Sequence, residues 1–183
     1  SHSIFKLITE EFNIQLNNIK YFAGHSLGEY SALVSSNSLS FSDAVYLLHE
    51  RGKSMQDAVP EGKGSMLAVM GLRIEDLEKY LKSLNKEKGV CEIANDNSDN
   101  QIILSGDKSA IDEISQILKS NKKRTIQLPV SAPFHCSLMN SAAKIMESKI
   151  NKTNFKNPSI DIVNNVTAEP VKKASEIKNL LIR

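Results

Sequence analysis

The sequence predicts an α/β chain with a ferredoxin-like (βαββαβ) subdomain set into a larger unit, and three observations carry that expectation. A short apolar run, Ile19 to Ala23, leads straight into a serine flanked by glycines and then into a helical stretch. From Gly64 the pattern changes, and over about 70 residues the elements read β-α-β-β-α-β. The segments on either side differ in character from that block, which marks it as an insertion. The expected larger subdomain covers residues 1–62 and 132–183, and the expected insertion covers 63–131.

Taken in order, Ile4 to Phe12 has apolar residues at near-helical spacing and predicts an amphipathic helix. Ile19 to Ala23 is a strand and Gly28 to Ser35 a helix. Ser40 or Ser42 can cap the next helix, which carries Ala44, Val45, Leu47 and Leu48 and is expected to stop near Gly52. Inside the insertion, SMLAVMGL, GVCEIAND, QIILSG and RTIQLPVS read as strands, while IEDLEKYLKSL and KSAIDEISQILKS read as helices. A helix from Leu138 to Ile150 and a short strand from Ser159 to Asn164 follow. Glu169-Pro170 then leads into a final helical segment.

Bulk properties exclude several function classes. The 183 residues are 40% apolar and 24% charged, ordinary for a soluble globular protein. A net charge of +2, with no basic patch interleaved with aromatics, gives no reason to expect nucleic acid. No apolar run approaches the ~18 residues of a membrane helix, and no signal peptide opens the chain. Cys91 and Cys136 stand apart, so neither a disulfide framework nor a zinc spacing is present, and a cytoplasmic setting is expected. The chain opens on SHSIF and closes on LLIR, and a fragment of a longer protein is the expectation.

Gly24-His25-Ser26-Leu27-Gly28 fits G-x-S-x-G in the strand, turn, helix context that this motif requires. A purely structural turn needs one glycine at most and gains nothing from a serine at its apex. The turn should force Ser26 into a strained backbone that lifts its hydroxyl clear of the sheet. Flanking glycines would remove side chains where strand and helix approach closely. The helix N-terminus then aims N–H groups at a developing oxyanion, with the Leu27 N–H as the obvious donor.

A serine hydroxyl needs a base to take its proton. His2 lies near the terminus, His25 is the serine's own neighbour and reads as a packing residue, and His49 sits within a helix. His135 follows a strand, in the proline-bracketed loop LPVSAPFHCSL, and is the candidate base. Cys136 beside it lacks an elbow and reads as a semi-buried thiol at a helix start. Asp96, Asp99, Asp107 and Asp112 lie between Ser26 and His135 but fall in the insertion, so a Ser-His dyad fits better than a triad. Arg51 has a structural reading of its own: a cation in the last helical turn before a glycine complements the helix dipole. Gly52-Lys53-Ser54 is not a phosphate loop, because Leu47 stands where that motif needs glycine.

Together, GHSLGEYSAL, ERGKSMQ, IANDNSDNQIILSG and PVSAPFHCSLM closely resemble the malonyl-CoA:acyl carrier protein transacylases of fatty acid synthesis. The same family includes the acyltransferase domains of polyketide synthases. The resemblance spans nearly the whole chain, in order. It implies an α/β-hydrolase-like large subdomain with a ferredoxin-like insertion. It also implies that Ser26 is the acylated nucleophile, His135 its general base and acid, and Arg51 the group that grips the malonyl carboxylate. Leu27 would supply an oxyanion donor. Asn95 and Asn97 match an asparagine pair that lines the site, with ordinary turn asparagines as the other reading. Phe134 resembles malonyl-selective members. The family's amino-terminal glycine-glutamine motif should precede Ser1, and the carbonyl that orients the histidine should lie at or past Arg183, which implies an internal fragment.

The implied reaction moves a malonyl group from coenzyme A to the phosphopantetheine thiol of acyl carrier protein. The thioester is the substrate, no cofactor is needed, and the expected state is a monomer. A buried guanidinium left unpaired by an acetyl group would cost ~3–5 kcal/mol, enough to select malonyl. Alternatives are a serine esterase or thioesterase, a polyketide synthase acyltransferase domain, or a fragment with no activity of its own. Lys119, Lys122, Lys123 and Arg124 could help dock an acidic carrier, although basic loop residues are usually just solvated.

Overall fold

The computed structural model describes residues 1–12 and 14–183. The chain divides into two compact units, Ser1–Gly52 with Ala143–Arg183, and Lys53–Ala142.

The first unit contains a three-stranded sheet in the order β1 (Tyr21–Ala23), β6 (Asp161–Val163), β7 (Pro170–Val171). β1 and β6 run parallel with Phe22 opposite Ile162, so this pairing joins segments far apart in the chain. α2 (Leu27–Ser35) follows β1 directly and buries Tyr30, Ala32 and Leu33. These pack with Leu39, Leu47, Met146, Ile150, Ile162 and Ile177 into one apolar core. α7 (Ala174–Ile182) supplies Ile177. Of the two candidate caps of α3 (Phe41–Ala58), Ser40 takes the role: its Oγ accepts the Asp43 N–H at 3.0 Å and donates to Asp43 Oδ2 at 2.6 Å.

The helix expected near the amino terminus forms, and one expectation for this unit, the end of α3, needs correction. α1 (His2–Glu10) is helical but buries none of its residues; Phe5 meets Phe22 edge-on, while Ile4 and Leu7 face outward. α3 does not stop near Gly52 but continues to Ala58. Gly52 sits inside the helix, in open space and with no left-handed backbone, so it is no terminator.

The second unit is built on an antiparallel sheet in the order β3 (Cys91–Ser98), β4 (Gln101–Asp107), β2 (Gly64–Met70), β5 (Arg124–Gln127). α4 (Ile74–Leu81) lies between β2 and β3 in the chain, and α5 (Lys108–Ser120) between β4 and β5. Alternation along the strands sorts the side chains between two faces. Leu67, Val69, Ile102 and Leu104 pack with Leu77 of α4 and Ile111, Ile114 and Leu118 of α5. On the other face Met66, Ala68 and Ile103 meet Ala94, Leu128 and Phe134. β5 ends at Gln127 rather than Ser131, since Pro129 has no N–H to extend a ladder. After a 3-10 turn at Ser137–Met139 comes α6 (Asn140–Lys152). Among the described residues no helix is long and apolar enough to cross a membrane.

Candidate active site

Ser26 stands between the end of β1 and the first residue of α2 with φ +52° and ψ −105°. A positive φ is costly for a residue with a side chain, of order 1–3 kcal/mol, and persists only where surrounding contacts hold it. Gly24 makes the turn possible, because a Cβ there would collide with the backbone of Gly28 and Glu29. The second glycine plays no such part: a Cβ on Gly28 would meet nothing within 4 Å, which corrects the expectation that both flanking glycines relieve a clash.

A serine at the start of a helix ordinarily turns its hydroxyl inward to cap an N–H. Ser26 makes no such bond. Arg51 Nη2 donates to Ser26 Oγ at 3.1 Å, so the guanidinium and the hydroxyl of one unit are brought together as expected. Because α3 runs on beyond Arg51, a helix-terminus role for this cation no longer accounts for it. Leu27 is exposed and opens α2, where its N–H belongs to the first turn and has no acceptor supplied by the helix.

Two residues that the sequence did not single out hold the elbow. The Asn165 side chain accepts the Ser26 N–H at 2.7 Å through Oδ1 and donates to the Gly24 carbonyl through Nδ2, also at 2.7 Å. Its neighbour Asn164 donates to Glu29 Oε1 at 2.6 Å and accepts the Val166 N–H at 2.8 Å. Glu29 is buried at 6% exposure, and burial pushes its carboxyl above the usual range despite the bonds from Asn164 and the Asn165 backbone and the nearby Arg51 charge. The available signal was weak: a pair of asparagines just beyond a short strand.

The remaining candidates belong to the second unit. His135 is exposed and, like Ser26, has a left-handed backbone, φ +59°. Phe134 is half-buried and fills space among Met66, Ala68 and Ile103 on one side and Met55, Val59 and Met139 on the other, which anchors the loop. Asn95 is half-buried on β3, and the ladder is irregular between Ile93 and Asn95 and again between Asp96 and Ser98. Such bulges re-aim side chains. Asn97 falls in the second irregularity and donates to Gln101 Oε1 at 2.9 Å. Burial raises the Cys136 thiol above its ordinary range, and its Sγ donates to the Pro133 carbonyl. Cys91 is pushed up to about 12, chiefly by burial, so neither thiol is a ready nucleophile. Lys122 and Arg124 are exposed beside the end of α5, with Lys122 at φ +58° in the turn.

The chain is also similar to known proteins over nearly its whole length. The family described as acyl transferase domain matches residues 18–179. The malonyl CoA-acyl carrier protein transacylase of Bacillus subtilis is 39% identical over 163 residues, covering 88% of this chain and 51% of that protein. The acyl-carrier-protein S-malonyltransferase of Bartonella henselae superposes with a TM-score of 0.92 at 37% identity, over 99% of this chain and 58% of that one. A malonyl-transacylase solved in complex with its type II PKS acyl-carrier protein also gives 0.92, at 33% identity, over 100% of this chain and 58% of that one. The chain thus spans about half the length of the curated relatives it matches. With a match that runs from ahead of the strained serine to beyond the asparagines that brace it, the chain belongs to the acyl transferase domain family.

Proposed function

We propose that the whole protein carrying this chain moves a malonyl group from coenzyme A to the phosphopantetheine thiol of an acyl carrier protein, for fatty acid biosynthesis. The observation that carries the reading is Ser26 itself: a strained serine that caps nothing and whose hydroxyl receives a hydrogen bond from Arg51. We read the chain as an α/β-hydrolase-like subdomain, residues 1–62 and 132–183, with a ferredoxin-like insertion at 63–131.

In this mechanism His135 takes the proton of Ser26 as Oγ attacks the malonyl thioester carbon. The Leu27 N–H donates to the oxyanion that forms. Collapse of the tetrahedral intermediate breaks the C–S bond, and coenzyme A leaves as a thiol with the proton returned by His135. The carrier thiol then attacks the seryl ester, gives its proton to His135, and Ser26 recovers it on departure. Arg51 suits the malonyl carboxylate because its planar fork can make two charge-assisted hydrogen bonds. Asn95 and Asn97 complete the substrate-facing set in this reading, while Phe134 acts from beneath by anchoring the loop of His135. The similarity to a transacylase solved with a polyketide carrier protein makes a polyketide system the second reading, with the same chemistry and a different carrier.

The test is partition of the acyl-enzyme. Offered water and a pantetheine thiol together, the malonyl-enzyme should pass its acyl group to the thiol. Faster loss to water would make the protein an esterase.

A further inference from the structure

The loop that carries His135 is pinned on both sides of a residue with an unfavourable backbone. On the amino-terminal side, Pro133 lies so close to the start of β2 that a Cβ on Gly64 would collide with its ring. Phe134 then enters the apolar cluster on the face of the sheet turned away from α4 and α5. On the carboxy-terminal side the holder is a carboxylate. Glu92 Oε2 accepts the Ser137 N–H and Oε1 accepts the Ser137 hydroxyl, both at 2.7 Å. Strand alternation explains why Glu92 can reach it. Cys91 and Ile93 turn toward the helices, while Ala94 joins Phe134 on the opposite face, and Glu92 shares that side.

His135 thus sits between an apolar anchor at 134 and a two-point hydrogen-bonded clamp at 137, at φ +59°. A residue holding a positive φ needs constraints on both flanks, since released chain relaxes to the favoured regions. We propose that Glu92 is a positioning residue for the imidazole of His135: a carboxylate on β3 that fixes the loop from outside and touches no reacting atom. The inference rests on His135 being the base of the reaction proposed above. It gives the four-stranded sheet a part in catalysis distinct from lining the site with Asn95 and Asn97.

The test is a double-mutant cycle in the whole protein, with single-turnover acylation of Ser26 by malonyl-CoA as the readout. Glu92→Ala should slow acylation about 10–10²-fold, the range expected for a displaced catalytic group, with KM for malonyl-CoA within about twofold. Combined with His135→Ala, it should add less than about twofold, because the group it positions is already gone. Ser137→Ala, which removes one of the two donors and little bulk, should behave the same way with a smaller loss and carries the cycle if Glu92→Ala does not fold. Equal losses with and without His135, or no loss at all, would overturn the role of Glu92. If His135→Ala alone acylates at the wild-type rate, the base assignment falls, and the inference with it.

Discussion

At the scale of single residues, Ser26 and His135 share an unusual property. Each has a left-handed backbone without being glycine, and each is held there by side-chain or packing contacts on neighbouring residues. Arg51 completes the polar set beside Ser26, yet it is half-buried rather than enclosed. In the proposed reaction its bond to a malonyl carboxylate would therefore be worth about 1.5–3 kcal/mol, less than a fully buried pair. Arg51→Ala should reduce the preference for malonyl over acetyl thioester by about 10–10²-fold, read as the ratio of kcat/KM values. Unchanged selectivity would remove Arg51 from the carboxylate site. Glu29 gives a second prediction, with a definite sign. Its folded carboxyl titrates above the ordinary value of 4.5 because burial disfavours the charge. Below that value the folded and unfolded states both hold the proton and the group contributes nothing. As pH rises through the window, the unfolded carboxyl ionises first and stability is lost until the folded pKa is passed. The melting temperature of Glu29→Gln relative to wild type should rise as the pH is raised from below 4.5 through the elevated folded titration. A difference that stays flat or falls would contradict the burial account.

At the scale of elements, the two glycines around the elbow and the one in α3 separate steric need from coincidence. Gly24→Ala places a methyl group against the Gly28 carbonyl and should destabilise the first unit and abolish Ser26 acylation. Gly52 has open space around its Cβ position and lies within a continuous helix, so Gly52→Ala should stabilise by about 0.5–1 kcal/mol, measured by thermal or denaturant unfolding. Loss of stability there would favour the helix end that the sequence pattern suggests. The misreading has a physical origin. A glycine after an apolar-periodic stretch looks the same whether it ends a helix or interrupts one, and here the helix continues past it, burying Met55 one turn further on. Most of the longer elements were legible because strong local patterns define them, as in the fully apolar run Met66–Val69. β7 was not legible, since two residues leave no period to detect. α1 kept its helical spacing without burial, because periodicity reports a stripe and not what covers it.

At the scale of the whole molecule, the strand order of each sheet depends on pairings the sequence does not display. β1 meets β6 across most of the chain, and that pairing delivers Asn165 to the elbow. Ser26, Leu27 and Arg51 could be singled out because a spaced motif and a familiar residue type mark them. Asn165 and Glu92 could not, since their value lies in what distant backbone they reach. Ser26 and Arg51 belong to one compact unit and His135 to the other, and the proposed proton transfer is the step that joins them. It is tested most directly by rapid-quench mass spectrometry of the whole protein with malonyl-CoA, followed by peptide mapping. A malonyl adduct on Ser26 is expected, absent in Ser26→Ala and forming at least about 10²-fold more slowly in His135→Ala. An adduct on Cys136, or one on Ser26 that forms as fast without His135, would contradict it.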